Sequence, residues 1–169
     1  MLYVVAWPVL AEADDTALRR LRAQYHPREA DLIGPHITLV FGVPLAREVE
    51  LRAALAALAE RRPFWVVLDR MVRHDLTPPS RAAYLYAVPG DGAVELAALH
   101  DALNPLPDDE PFEPHITVGL FDRAADAEQI ARIVERQNLL PMHARIEELA
   151  LVARDGDTLT ELCRVQFGR

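Results

Sequence analysis

Lysine is absent from this chain: all 18 basic residues are arginine. That excludes a P-loop, whose lysine reaches the phosphates, a Schiff-base enzyme, and a ligase that passes through an adenylyl-lysine. Cysteine is nearly absent too. Cys163 alone forms no internal disulfide and no cysteine metal cluster, so a reducing cytoplasm is the expected location. No segment approaches the ~20 apolar residues that cross a bilayer, and no membrane partner is expected. The apolar opening Leu2–Ala11 lacks a basic n-region and is interrupted by Pro8. It reads as a strand rather than a leader. Net positive charge is also missing, since 26 acidic residues outweigh the arginines and leave a formal charge of −8. A general nucleic-acid binder shows a basic surface. An anionic partner of this chain has to be small, or be gripped by a local cluster of arginines.

What is present is a chain of 169 residues, 51% of them apolar, which suits one folded domain or two small lobes sharing a core. Apolar periodicity predicts a strand at Leu2–Trp7 and a helix at Glu12–Tyr25, which Pro27 stops. A strand at His36–Val43, a helix over Ala46–Arg61 and strands at Phe64–Arg73 and Ala82–Val88 follow, the last two joined by a loop at His74–Arg81. Next come a helix at Val94–Leu103, an acidic, proline-rich connector over Asn104–Pro114, a strand at His115–Phe121 and a helix at Ala124–Gln137. Strands at Ala144–Ala153 and Leu159–Phe167 close the chain around Asp155-Gly156-Asp157, a hairpin signal.

Set side by side, the halves repeat. The tetrapeptide Pro-His-Ile-Thr occurs at Pro35–Thr38 and again at Pro114–Thr117, 79 residues on. Each copy is followed by the same run of helix and strands, which makes an internal duplication the economical reading. The expected fold is α+β: a duplicated, two-lobed arrangement of antiparallel sheets flanked by helices, pseudo-two-fold, with a central groove. The whole chain, 1–169, is read as one domain with motif lobes at about 1–81 and 82–169, strands being open to exchange between them. A two-fold relation would bring the two motif strands together at the centre.

Residues i and i+2 of a strand share a face. His36 and Thr38 therefore point one way and Ile37 and Leu39 the other; His115 and Thr117 likewise oppose Ile116 and Val118. Two imidazoles and two hydroxyls are costly to bury unpaired, so those faces should line a groove. Such a layout suits displacement at phosphorus. A neutral histidine takes a proton from the attacking oxygen, a charged one donates a proton to the leaving oxygen, and the threonines hold the non-bridging oxygens. Which histidine plays which part is open at this stage. Free imidazoles titrate near pH 6.5, which sets the expected activity maximum near neutrality.

The segments Pro35–Phe41 and Pro114–Leu120 resemble the duplicated His-x-Thr motifs of the 2H phosphoesterase superfamily, which includes 2′,5′ RNA ligase-like proteins and cyclic phosphodiesterases. The similarity in element order covers nearly the whole chain. It implies His36, Thr38, His115 and Thr117 as catalytic residues. It also implies hydrolysis of 2′,3′-cyclic phosphodiesters at RNA or nucleotide ends, typically to 2′-phosphates, with joining of 2′,5′ ends in the reverse sense. Neither metal nor ATP is implied as a cofactor, and a monomer acting on an RNA terminus or small cyclic nucleotide is the expected form.

Around this core, Arg73, His74, Arg81 and Tyr84 are candidate substrate contacts: the arginines for a phosphate, the rings for a base. The competing reading is a solvated hairpin end for the loop and core packing for Tyr84 and Tyr86. His26 is expected to cap helix carbonyls, and His100 and His143 to be structural or solvated. The acidic connector (Asp108, Asp109, Glu110, Glu113) should disfavour long polyanions and raise the histidine pKa values. A metal site needs a third ligand, and no His-x-His or His-x-x-x-His spacing supplies one. A non-catalytic binder of nucleotides or RNA ends is the alternative from another class, and turnover of a cyclic phosphate separates the two.

Overall fold

The alternation of buried and open positions along the strands turns into a single antiparallel sheet in the computed structural model, which describes residues 1–106 and 111–168. The strands are β1 (Leu2–Leu10), β2 (Ile37–Val43), β3 (Phe64–Asp75), β4 (Ala83–Pro89), β5 (Ile116–Phe121), β6 (Met142–Asp155) and β7 (Thr158–Gln166). The helices are α1 (Glu12–Tyr25), α2 (Pro27–Leu32), α3 (Glu48–Ala56), α4 (Ala93–Leu103) and α5 (Ala124–Arg136), with a 3₁₀ turn at Leu45–Arg47. No helix of the described residues is long and apolar enough to cross a membrane.

Six strands run in the order β2-β1-β6-β3-β4-β5, and β7 pairs with β6 off that path. The long β6 holds β1 along one edge, and divides its other edge between β3 and β7. Exchanging β1 with β4, β2 with β5 and β3 with β6 turns the six-strand order into its own reverse. The duplication read from the sequence is thus written into the pairing. Each opening strand pairs with its own motif strand (β1 with β2, β4 with β5), whereas each third strand pairs into the other half (β3 with β4, β6 with β1).

That exchange, left open by the sequence, joins the expected antiparallel sheets into one. The sheet is continuous, its middle is the β6–β3 pair, and β2 and β5 lie at the two ends of the path. Twist and curl of the sheet bring the ends towards one another. The helices follow the same crossed logic, since α1 packs on β5 and α4 packs on β2. Beneath the helices lies one core that includes Leu18, Ile37, Leu39, Leu85, Leu96, Leu99, Ile116 and Val118, all at most 1% exposed. Burying each such side chain contributes roughly 1.5–3 kcal/mol.

Several element bounds differ from the sequence reading. Pro27 does not simply end helical structure: it takes a first-turn position of α2, where its missing N–H costs nothing. The helix expected to reach Arg61 stops at Ala56, and β3 runs on to Asp75 through what reads as the start of a loop. Asp108, Asp109 and Glu110 of the acidic connector lie outside the described residues.

Candidate active site

Both motif histidines stand one residue ahead of their strands, behind a buried proline, and both are half-buried. His36 Nδ1 lies 2.8 Å from the carbonyl of Gly34, and His115 Nδ1 lies 2.7 Å from the carbonyl of Glu113. The carbonyl belongs in each case to the residue before the proline, whose ring fixes φ near about −65° and so holds that oxygen in place. A carbonyl only accepts, so each Nδ1 must donate. The tautomer is thereby set twice over. In the neutral form each ring keeps its lone pair on Nε2, the nitrogen left to meet a ligand.

His36, Thr38, His115 and Thr117 line one open cavity of about 830 Å³. The four motif side chains therefore converge, although their strands occupy opposite ends of the sheet. The cavity wall on the β4 side is aromatic. Tyr86 stacks on His115 with ring centroids 3.7 Å apart and planes at 17°, and Tyr84 and His74 stack on Tyr86 at 5.7 and 5.6 Å. Tyr84 and Tyr86 thus form groove wall rather than core, because Ala83, Leu85 and Ala87 take the buried face of β4. On the other side Tyr3 and Phe41 meet edge to face at 5.1 Å, and Trp7 meets His36 at 62° rather than flat, with centroids 6.0 Å apart.

Electrostatics separate the two histidines further. Burial pushes His36 down to about 4; its bond to Gly34 and the Glu29 carboxylate oppose this, while Arg22 and His115 reinforce it. Burial also lowers His115, assisted by His74 and opposed by Glu113 and its carbonyl. The acidic residues were expected to raise both values. Glu113 does act in that direction, but desolvation outweighs it.

Of the substrate contacts read from sequence, His74 and Tyr84 line the cavity, and Arg73 and Arg81 do not. With β3 extended to Asp75, consecutive residues alternate faces, so His74 turns to the groove and Arg73 away from it. Arg73 pairs with Asp75 at 2.8 Å and Glu128 at 3.6 Å. His26 does not cap with its side chain: its ring meets Tyr84 at 80° with centroids 6.3 Å apart, and its buried Nδ1 has no partner among the described residues. His100 is a buried tie, donating from Nδ1 to the carbonyl of Leu39 at 2.6 Å and stacking on Phe112. His143 is exposed on β6.

Sequence reasoning missed Arg22, which is 1% exposed and lines the cavity. Its position carried a signal, because four residues after Leu18 and three before Tyr25 lies on the apolar face of α1. It also missed the bidentate pair of Arg154 with Glu29, at 2.6 and 3.0 Å, at the Tyr3 end of the groove. Among the described residues no group of three His, Cys, Asp or Glu side chains is placed to hold a metal ion.

A family model described as the 2′-5′ RNA ligase superfamily matches residues 8–158. Among solved structures, apo Escherichia coli LigT aligns with a TM-score of 0.58 at 23% identity, covering 99% of this chain and 97% of that one. Kluyveromyces marxianus Usb1 aligns with a TM-score of 0.57 at 13% identity, over 95% and 97% of the two chains. LigT complexed with 3′-AMP aligns at 0.55 and 22% identity, over 99% and 98%. No curated protein sequence matches the chain.

Proposed function

Since the chain belongs to the 2′-5′ RNA ligase superfamily, we propose that it is a metal-independent phosphoesterase that opens 2′,3′-cyclic phosphodiesters at RNA or nucleotide ends. The observation that carries this reading is the matched pair of Nδ1–carbonyl bonds, which turns both motif histidines into Nε2 bases or acids on one cavity. Water attacks phosphorus in line with the 3′ oxygen. One imidazole removes the water proton as the P–O bond forms, and the other delivers a proton to O3′ as its bond to phosphorus breaks, leaving a 2′-phosphate. Thr38 and Thr117 donate hydrogen bonds to the non-bridging oxygens, where charge accumulates.

The asymmetry supports one assignment of roles. His36, held near 4, is the base, because it stays neutral over the working range. His115 is the acid: Tyr86 lies flat against it, and the quadrupole of an aromatic face favours an imidazolium. The incoming phosphate anion raises the proton affinity of both rings, which charges His115 when substrate is bound. Tyr84, Tyr86 and His74 offer the nucleobase a stacking wall. With a 5′-hydroxyl in place of water, the same displacement joins two ends through a 2′,5′ linkage and draws its energy from the strained ring, without ATP. We read the chain as a single domain, with its two halves at about 1–81 and 82–169 exchanging strands.

The test is turnover of a nucleoside 2′,3′-cyclic phosphate, with the product isomer read by phosphorus NMR. Formation of the nucleoside 2′-phosphate is expected. Tight nucleotide binding with no turnover would instead identify a binding protein.

A further inference from the structure

Two strands that must act on one phosphorus are separated here by the whole width of the sheet. Between β2 and β5 lie four other strands, and no backbone ladder joins the two. Their spacing depends on how far the sheet curls, and a curled sheet is a soft way to fix a distance. One side chain bridges the gap. Arg22, on α1, donates from Nη1 to the carbonyl of Thr117 at 2.5 Å and from Nη2 to the carbonyl of Ile33 at 2.9 Å. Thr117 is the second motif itself. Ile33 immediately precedes Gly34, whose carbonyl orients His36.

We propose that Arg22 is a positioning residue that sets the separation of the two motif strands. The inference rests on the reading that both histidines serve one phosphate. Three features support it. The guanidinium is planar and rigid, so its two bonds fix direction as well as distance, as a lysine ammonium would not. Among the described residues it makes no hydrogen bond to a carboxylate: both acceptors are main-chain oxygens, and the neighbouring Glu29 is bonded to Arg154. Burying that charge is costly, and a merely structural contact between α1 and β5 would be served by an apolar side chain. Finally, α1 reaches β5 closely enough for the bond because position 119 is glycine. A Cβ there would stand 2.7 Å from Tyr25 Cβ. The opposite half has a counterpart in the tie from His100 of α4 to Leu39 of β2, so each crossed helix secures the far motif strand.

Arg22→Met and Arg22→Lys separate the strut from the charge. Both variants are expected to fold and to lose at least tenfold in kcat on a nucleoside 2′,3′-cyclic phosphate, with KM within about threefold. The acid limb of the rate profile should stay in place in Arg22→Lys. It should move to higher pH in Arg22→Met, because Glu29 from α2 and His115 from the far motif are then the charged groups facing His36 among the described residues. Independently of turnover, nitroxides on Phe41→Cys and Leu120→Cys, in a Cys163→Ser background, report the distance between β2 and β5. A single narrow distribution is expected with Arg22, and a broadened one in both variants. An unchanged distribution, or kcat restored to within twofold by lysine, overturns the proposal. If the native protein turns nothing over, the phosphoesterase reading fails while the distance measurement still decides the strut.

Discussion

The difference between the two histidines makes the pH dependence of kcat/KM the sharpest test of the chemistry. On the proposed mechanism the productive form of the free protein has His36 neutral and His115 charged, and kcat/KM reports the free-protein values. With His36 near 4, only about one molecule in a thousand carries a proton there at pH 7. A scheme that uses His36 as the acid would begin from that thousandth, so the base is the role open to it. The acid limb, where His36 becomes protonated, should therefore lie near pH 4. The alkaline limb, where His115 loses its proton, should fall below 6.5, since burial lowers that group as well. The maximum of kcat/KM is expected between those limits, on the acid side of the neutral optimum that unperturbed imidazoles imply. The kcat profile should lie higher, because bound phosphate raises both groups. The apparent values belong to the coupled pair, so assignment needs a second substrate with an activated leaving oxygen. Such a substrate should rescue His115→Ala and not His36→Ala. The assay is release of nucleoside 2′-phosphate from pH 3.5 to 8.5, with stability followed in parallel. A kcat/KM that climbs to a plateau above pH 7 would show that no charged histidine takes part, and the two-histidine scheme would be abandoned.

His36→Ala and His115→Ala should each abolish turnover, and the double variant should be little worse than either, because the two act as one proton-transfer unit; near-native activity in either single variant refutes this. Thr38→Ala and Thr117→Ala each remove one transition-state hydrogen bond, for which about 2–4 kcal/mol is expected as a fall in kcat. Exhaustive chelation should leave the rate unchanged, and activity lost to EDTA and restored by zinc would replace the histidine mechanism with a metal-bound hydroxide. Gly119→Ala should cost about 1–3 kcal/mol by overpacking against Tyr25 and Phe121, seen as a Tm several degrees lower; an unchanged Tm would show that α1 sits less tightly on β5 than its contacts indicate.

The sequence made the motif residues legible because their signal is local: a proline, a histidine and a threonine at period two, in duplicate. Strand and helix positions followed from the same short-range periodicities. What the sequence did not carry was partnership. Nothing in Phe64–Asp75 says that this strand pairs with Ala83–Pro89 on one side and β6 on the other. The convergence of the motif side chains was legible, but not that their strands would lie at the two ends of one sheet. Arg73 was chosen for its charge and its nearness to a loop, and a two-residue extension of β3 turned it away. Arg22 was passed over because an arginine in a helix is usually solvated. Its place on the apolar face of α1 pointed to burial, and the tertiary contact between α1 and β5 shows it. Tyr86 shares a strand face with Tyr84, but its stack on His115 depends on the β4–β5 register, which places it opposite Thr117.

The strand order that equals its own reverse has a consequence for how two unlike histidines arise. Two copies of a single half, assembled about a true two-fold axis, would close the same sheet and present the same pair of rings. Those rings would be chemically equivalent, so neither copy could be tuned as donor or acceptor without tuning the other. Joining the halves in one polypeptide removes that constraint. Tyr86 can then lie flat against one imidazole while Trp7 meets the other at an angle, and the division of labour proposed above, closed to a homodimer, becomes heritable.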